Sequence, residues 1–183
     1  MPGRDDLLAA ALDYVTAHGI GETSLRALAT ELGTSHRMLI YHFGSREGLL
    51  VAIVQAVEQQ QRDLLAALAT DPDLPPLELG RRFTEQLFDP ALWPSERLFF
   101  ELYGQALQGR PHAVALLDGV VENWLEPIGE LVVRLGVPPE QARAHARLSI
   151  AVSRGLLLDL LATGDVDGVR AAAEVYLRVF EPR

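Results

Sequence analysis

Between residues 36 and 42, His36, Arg37, Tyr41 and His42 bring two imidazoles, a guanidinium and a phenol into one short stretch. Such a set can hydrogen-bond base edges and phosphate oxygens, and arginine is suited to the O6 and N7 atoms of guanine. A second polar set, His145, Ser149 and Ser153, falls at i, i+4 and i+8 on an otherwise apolar stretch. Burying these groups costs free energy unless each finds a partner. They imply a cavity, water or ligand, or else a polar track in a subunit interface or facing solvent. A histidine with a serine also holds two parts of a hydrolase, but no sequence-evident acid orients His145 and no oxyanion-hole motif accompanies it. Other chemistry is excluded by residue type. All 16 basic residues are arginine and there is no cysteine, so a Walker A lysine, a Schiff base, a disulfide and thiol catalysis are ruled out. The GIG at 19–21 has Ser24 where a dinucleotide fingerprint needs its third glycine, and a helix, not a strand, precedes it. No catalytic residue, metal site or cofactor is implied.

The first polar set has to be held by something. Leu25, Leu28, Ala29 and Leu32 fall at i, i+3, i+4 and i+7, the stripe of a short helix, and Gly33 breaks it where a tight turn would lie. Thr34 or Ser35 can cap a second short helix, with Leu39 and Phe43 as its inner face. Its outer face then carries His36, Arg37, Tyr41 and His42. Two short helices around a glycine-containing turn describe a helix-turn-helix reader of double-stranded DNA.

IYHFGSREGLL, residues 40–50, follows directly. With the two helices before it, this segment resembles the TetR family of transcriptional regulators, whose signature runs through a tyrosine, histidine and phenylalanine cluster into Ser, Lys and Glu at the start of a long helix. His42, Phe43, Ser45 and Glu47 match that pattern; Ile40 replaces the first tyrosine and Arg46 the lysine. The resemblance is detailed over roughly the first fifty residues. It implies an all-α, nine-helix architecture with a helix-turn-helix domain at 1–48 and a helical ligand-binding and dimerisation domain at 49–183. It implies a homodimer that reads a palindromic operator and, most simply, a repressor released by a small ligand. His36 and Arg37 are expected at base edges, with Ser35 beside them at the helix start. Ser24, Tyr41, His42 and Arg46 are expected at phosphates, with Arg26 reaching phosphate or solvent. For His42 the alternative is a core-edge residue holding Phe43 and the fourth helix. Arg4 is either part of an N-terminal arm on DNA or simply solvated.

Length and charge set the limits. The chain has 183 residues, 49% of them apolar, and a net charge of −9, which suits a compact globule of one or two small domains. No apolar run approaches a bilayer span and no signal peptide is evident, so a cytoplasmic location and no membrane partner are expected. Residues 1–48 hold four arginines and six acidic residues. DNA affinity must therefore come from local placement of Arg26, Arg37 and Arg46 rather than from net attraction.

The first helix is expected from about Asp5 to Ala17, with Leu8, Leu12 and Val15 buried and His18-Gly19 ending it. A fourth, capped by Ser45, runs to about Ala69 and would be a rod of roughly 37 Å at ~1.5 Å per residue; its EQQQR run, 58–62, is expected to be a solvated face. DPDLPP at 71–76 stops it. Five more helices are expected at about 77–88, 95–108, 112–135, 139–163 and 166–180, with Pro127 and Gly129 kinking the seventh. Phe83, Phe88, Trp93, Phe99, Phe100, Tyr103 and Trp124 form either an ordinary core or the walls of a pocket for a small apolar or amphipathic ligand. The candidate lining is Phe83, Phe99, Tyr103, Trp124, His145, Ser149 and Ser153, and His112 either joins it or is exposed. Leu156, Leu157, Leu160, Leu161, Val169, Ala172, Ala173, Val175, Tyr176 and Val179 make the last two helices more apolar than a small body readily covers. Paired two-fold they would form a four-helix interface, with Leu156, Leu160, Ala172, Val175, Tyr176 and Val179 as its candidate contacts. The reading from another class is a dimeric DNA binder without a small-molecule effector, controlled by a protein partner.

Overall fold

The computed structural model describes residues 3–19 and 23–181; Ile20 and Gly21 of the GIG run lie outside them. Among the described residues the fold is all α, with nine α-helices and no strand: α1 (Arg4–His18), α2 (Leu25–Glu31), α3 (His36–Phe43), α4 (Arg46–Ala69), α5 (Pro76–Leu87), α6 (Trp93–Leu107), α7 (Glu122–Arg134), α8 (Pro139–Thr163) and α9 (Val166–Leu177). Three short 3-10 turns, Pro90–Leu92, Val114–Leu117 and Arg178–Phe180, complete it.

Two compact units are formed, Met1–Gln59 with Ala91–Asp118, and Gln60–Pro90 with Gly119–Arg183. In the first, α2 packs on α3, α1 on α6, and α6 on the Val114–Leu117 turn. Its interior holds Leu7, Ala11, Leu12 and Val15 of α1, Leu28 and Leu39 of the two short helices, and Leu49 to Val54 of α4. Burying each large aliphatic side chain contributes about 1.5–3 kcal/mol. Leu8, expected inside, is only half-buried, because Leu7 takes the inward position.

Local chemistry fixes the two short helices. Ser24 caps α2 by accepting from the Ala27 amide at 3.2 Å, and Ser35 caps α3 by accepting from Met38 at 3.2 Å. Each such cap stabilises a helix by about 1 kcal/mol. Between them Gly33 has φ 62°, a left-handed conformation that makes the turn tight. Ser45 opens α4 by accepting from the Gly48 amide at 2.9 Å.

The second unit has α7 against α8, α8 against α9, and α5 against both α9 and α7. Arg81 of α5 grips Glu174 of α9 with two hydrogen bonds, Nε to Oε2 at 3.0 Å and Nη2 to Oε1 at 2.7 Å. That hydrogen bond holds the Glu174 carboxyl below its ordinary range and raises the Arg81 guanidinium above its own, while partial burial opposes both shifts. The expected helix at 112–135 is shorter. Gly119 takes φ 72°, so 114–117 form a 3-10 turn and α7 begins only at Glu122. Pro127 consequently lies in its second turn. The EQQQR run is not a uniform solvated face either, since Gln61 is buried on the inner side of α4.

Candidate functional site

The short second helix of the pair, α3, turns Leu39 fully inward and leaves Met38 and Phe43 half-buried. Its other side presents Ser35, His36 and Arg37 at the exposed N-terminal end, and Tyr41 is 78% exposed one turn further on. Ile40, standing where the family has its tyrosine, is exposed beside it. His36, Arg37 and Tyr41 thus put an imidazole, a guanidinium and a phenol on the exposed side of α3, next to the apolar Ile40.

The remaining expected DNA contacts are Ser24, Arg26, His42 and Arg46. The oxygens of Ser24 and Ser35 already accept backbone amides as caps. Arg46 donates from Nε to the Thr23 carbonyl at 2.9 Å, tying the start of α4 to the start of α2. His42 is half-buried against Tyr41 and Phe43, and its Nε2 is enclosed without a hydrogen-bond partner, which places this nitrogen at the core edge. Arg26 is exposed on the outer side of α2. Arg4 lies over the Phe43 ring, 5.2 Å from its centroid, and pairs with Asp5 at 3.7 Å. This cation–π contact fixes the start of α1 on the end of α3, a role for Arg4 that its terminal position concealed.

In the second unit a cavity of about 70 Å³ lies among α4, α5, α7, α8 and α9. Its walls are apolar apart from Thr84, Ser149, Ser153 and Tyr176. Of the expected lining residues, Phe83, Ser149 and Ser153 are present. Trp124 packs behind Phe83, with ring centroids 6.0 Å apart, and Arg62 sits over its face. Phe99 and Tyr103 do not contribute; they stack on one another at 5.4 Å within the first unit. His112 is exposed and bonds Gln105 there at 2.7 Å. His145 is packed against Phe180 at 6.0 Å, with Nδ1 buried and unpartnered, rather than in the cavity wall. The Ser149 hydroxyl donates to the His145 backbone carbonyl at 2.9 Å and meets Tyr176 Oη at 2.7 Å. It does not engage the imidazole, so the hydrolase constellation is not assembled. Burial raises the Tyr176 phenol above its ordinary pKa, and the bond to Ser149 offsets part of that rise.

The last two helices divide differently from the expected interface. Leu160 is completely buried, in phase with Ala146, Ile150 and Leu157 on the inner side of α8, so it belongs to the core. Leu156 and Tyr176 line the cavity. The face left open carries Leu148 and Leu158 of α8, with Ala151, Gly155 and Ala162 on the same side, and Ala172 and Val175 of α9. Val175 is 67% exposed and Val179, in the following turn, 66%. Leu148 and Leu158 had not been expected there. Their i, i+3, i+4 spacing through Ala151 and Gly155 was the available signal.

No helix among the described residues is long and apolar enough to cross a membrane, and no group of three or more potential metal-ligating side chains is found among them. A profile of the family described as "Bacterial regulatory proteins, tetR family" matches residues 7–53. The HTH-type transcriptional regulatory protein RaaS of Mycobacterium tuberculosis is 30% identical over 178 residues, covering 91% of this chain and 76% of that one. The fold is similar to that of a putative transcriptional regulator from Saccharomonospora viridis in complex with choline, at TM-score 0.72 and 23% identity, covering 96% of this chain and 95% of the other. It is also similar to BioQ with its double-stranded DNA operator, at TM-score 0.60 and 22% identity, covering 98% and 99%.

Proposed function

We propose that this chain, which belongs to the TetR family of bacterial regulatory proteins and is a DNA-binding transcriptional regulator, acts as a ligand-released repressor that binds a palindromic operator as a homodimer. The observation that carries this reading is the outward set of His36, Arg37 and Tyr41 on a capped α3 inside the matched segment. In it, residues 1–48 read DNA and 49–183 hold the effector and the dimer contacts, in the cytoplasm. Arg37 and His36 address base edges, and Tyr41, Arg26 and Ser35 position the helix on phosphates. Ser24, Arg46 and His42 act mainly by holding α2, α3 and α4 together. The open face of α8 and α9, around Leu158, Val175 and Val179, is the surface a second copy would cover. Two heads about 34–36 Å apart then read two half-sites. The neighbour solved with its DNA operator and the neighbour holding choline support DNA and a small ligand as partners. Ligand and operator must weaken each other's binding by the same factor.

The test is fluorescence anisotropy on duplexes tiling the DNA upstream of the chain's own coding region, across a salt series. Tight, salt-sensitive binding to one palindromic duplex is expected, with sequence preference lost in Arg37→Ala. Weak binding indifferent to sequence and to Arg37 on every duplex would overturn it. The second reading, control by a protein partner without an effector, is favoured by one observation: the cavity holds only about 70 Å³.

A further inference from the structure

The cavity in the second unit has a hydrogen-bond polarity, and this constrains what can fill it. Ser149 has one hydroxyl proton, and it goes to the His145 carbonyl. Its contact with Tyr176 at 2.7 Å therefore requires Tyr176 to donate. Thr84 likewise spends its proton on the Gly80 carbonyl at 2.8 Å. Three of the four hydroxyl-bearing residues in the wall thus have their protons committed and lone pairs to spare. No side chain in the wall carries a charge, and the remaining lining is aliphatic or aromatic. A charged ligand would lose its hydration there without a counter-ion. At roughly 10–15 Å³ for each water-sized sphere, about 70 Å³ admits a body of about six heavy atoms.

Resting on the effector reading above, we propose that the ligand of this cavity is a small neutral molecule with an apolar body and one O–H or N–H donor. The donor is received by the Tyr176 oxygen at the end of the relay from Tyr176 through Ser149 to the His145 carbonyl. Ser149 is a positioning residue in this arrangement: by taking the phenolic proton it makes Tyr176 an acceptor.

The test uses four probes of equal heavy-atom count: cyclopentanol, cyclopentanone, methylcyclopentane and protonated cyclopentylamine. Binding to the full chain is followed by calorimetry and by the shift in melting temperature. Cyclopentanol is expected to bind best and the protonated amine not at all. In Ser149→Ala the Tyr176 proton loses its acceptor and turns to the ligand. The ratio of cyclopentanol to cyclopentanone affinity should then fall by roughly tenfold, the worth of one hydrogen bond. Tyr176→Phe should bring cyclopentanol down to about the level of methylcyclopentane. A purely structural role for Ser149 would weaken all probes alike and leave the ratio unchanged, which would overturn the proposal. Tight binding of the amine, or of all neutral probes equally, would overturn the ligand class while leaving the cavity as an effector site. Failure of all four to bind would overturn both the ligand class and the effector role of this cavity, while the DNA-reading part of the proposed function, which anisotropy on the duplexes tests, does not depend on it.

Discussion

Gly48→Ala sets two effects against each other. Gly48 is the third residue of α4, and by helix propensity alone alanine there should add about 0.5–1 kcal/mol. A Cβ built on Gly48, however, overlaps the carbonyl oxygen of Phe43 and lies 3.3 Å from its carbonyl carbon. The obstacle is backbone, at the last residue of α3, and it cannot swing aside as a side chain would. Overpacking of this kind costs about 1–3 kcal/mol, and with a rigid obstacle the upper part of that range applies. The net expectation is a loss of about 1–2 kcal/mol, or roughly 2–8 °C in melting temperature for a chain of this size. Gly104→Ala is the control. It lies in α6, has no positive φ, and its Cβ would meet nothing within 4 Å, so the propensity gain of up to about 1 kcal/mol should emerge uncancelled. Thermal melts followed by circular dichroism compare the two variants with the parent. DNA affinity of Gly48→Ala should fall as well, since relief of the clash displaces the end of α3. Equal or higher stability of Gly48→Ala, or the same sign of shift for both variants, would refute the reasoning.

Further expectations follow from the second unit. Val175→Asp places a charge in the open face of α8 and α9, and sedimentation velocity should report a monomer; an unchanged dimer would move the interface elsewhere. The Glu174 carboxyl titrates below 4.5 in the fold, chiefly through its hydrogen bond to Arg81. Its contribution is complete above that value and disappears as pH falls through the lowered one. Denaturant midpoints between pH 7 and 3 should therefore decline less steeply in Glu174→Gln, and coincident acid limbs would contradict this. The Tyr176 phenol is raised above 10.0 by burial, so its contribution is present below pH 10.0 and lost as pH rises beyond it. Tyr176→Phe should flatten the alkaline limb, a result that near-identical limbs would exclude.

The helix-turn-helix was legible because each of its signals is local. Ser35 caps within three residues, Gly33 turns the chain at its own φ, and Leu28 and Leu39 face inward by their spacing alone; the Ser24 cap is equally local but had not been expected. The limits of α8 were equally plain, with Pro138-Pro139 before it and Gly164 after it. What failed depends on distance in the chain. Leu156, Leu157, Leu158, Leu160 and Leu161 are apolar nearly all round the helix, so periodicity could not say that Leu160 is buried while Leu158 is exposed. Phe99 and Tyr103 are aromatic like Phe83 and Trp124, and only tertiary packing separates the two pairs. The Ser149–Tyr176 bond spans 27 residues, beyond any helical repeat. The expected helix at 112–135 runs on through Asp118-Gly119 because the apolar Ala113 to Leu117 mask the break.

One property of α3 bears on how its surface would be used. It has eight residues, fewer than the ~12–15 that give an isolated helix marginal stability, and Leu39 is its one fully buried side chain among the described residues. Its order is borrowed from α2, the Ser35 cap and the start of α4. Local opening of α3 should thus require less free energy than global unfolding, and its amides should exchange with solvent before those of α4. On a matched site, contacts from Arg37 and Tyr41 would hold the helix closed and slow that exchange. On a mismatched one, too few contacts would remain to do so, and the error would register as lost order in the reading helix as well as lost hydrogen bonds.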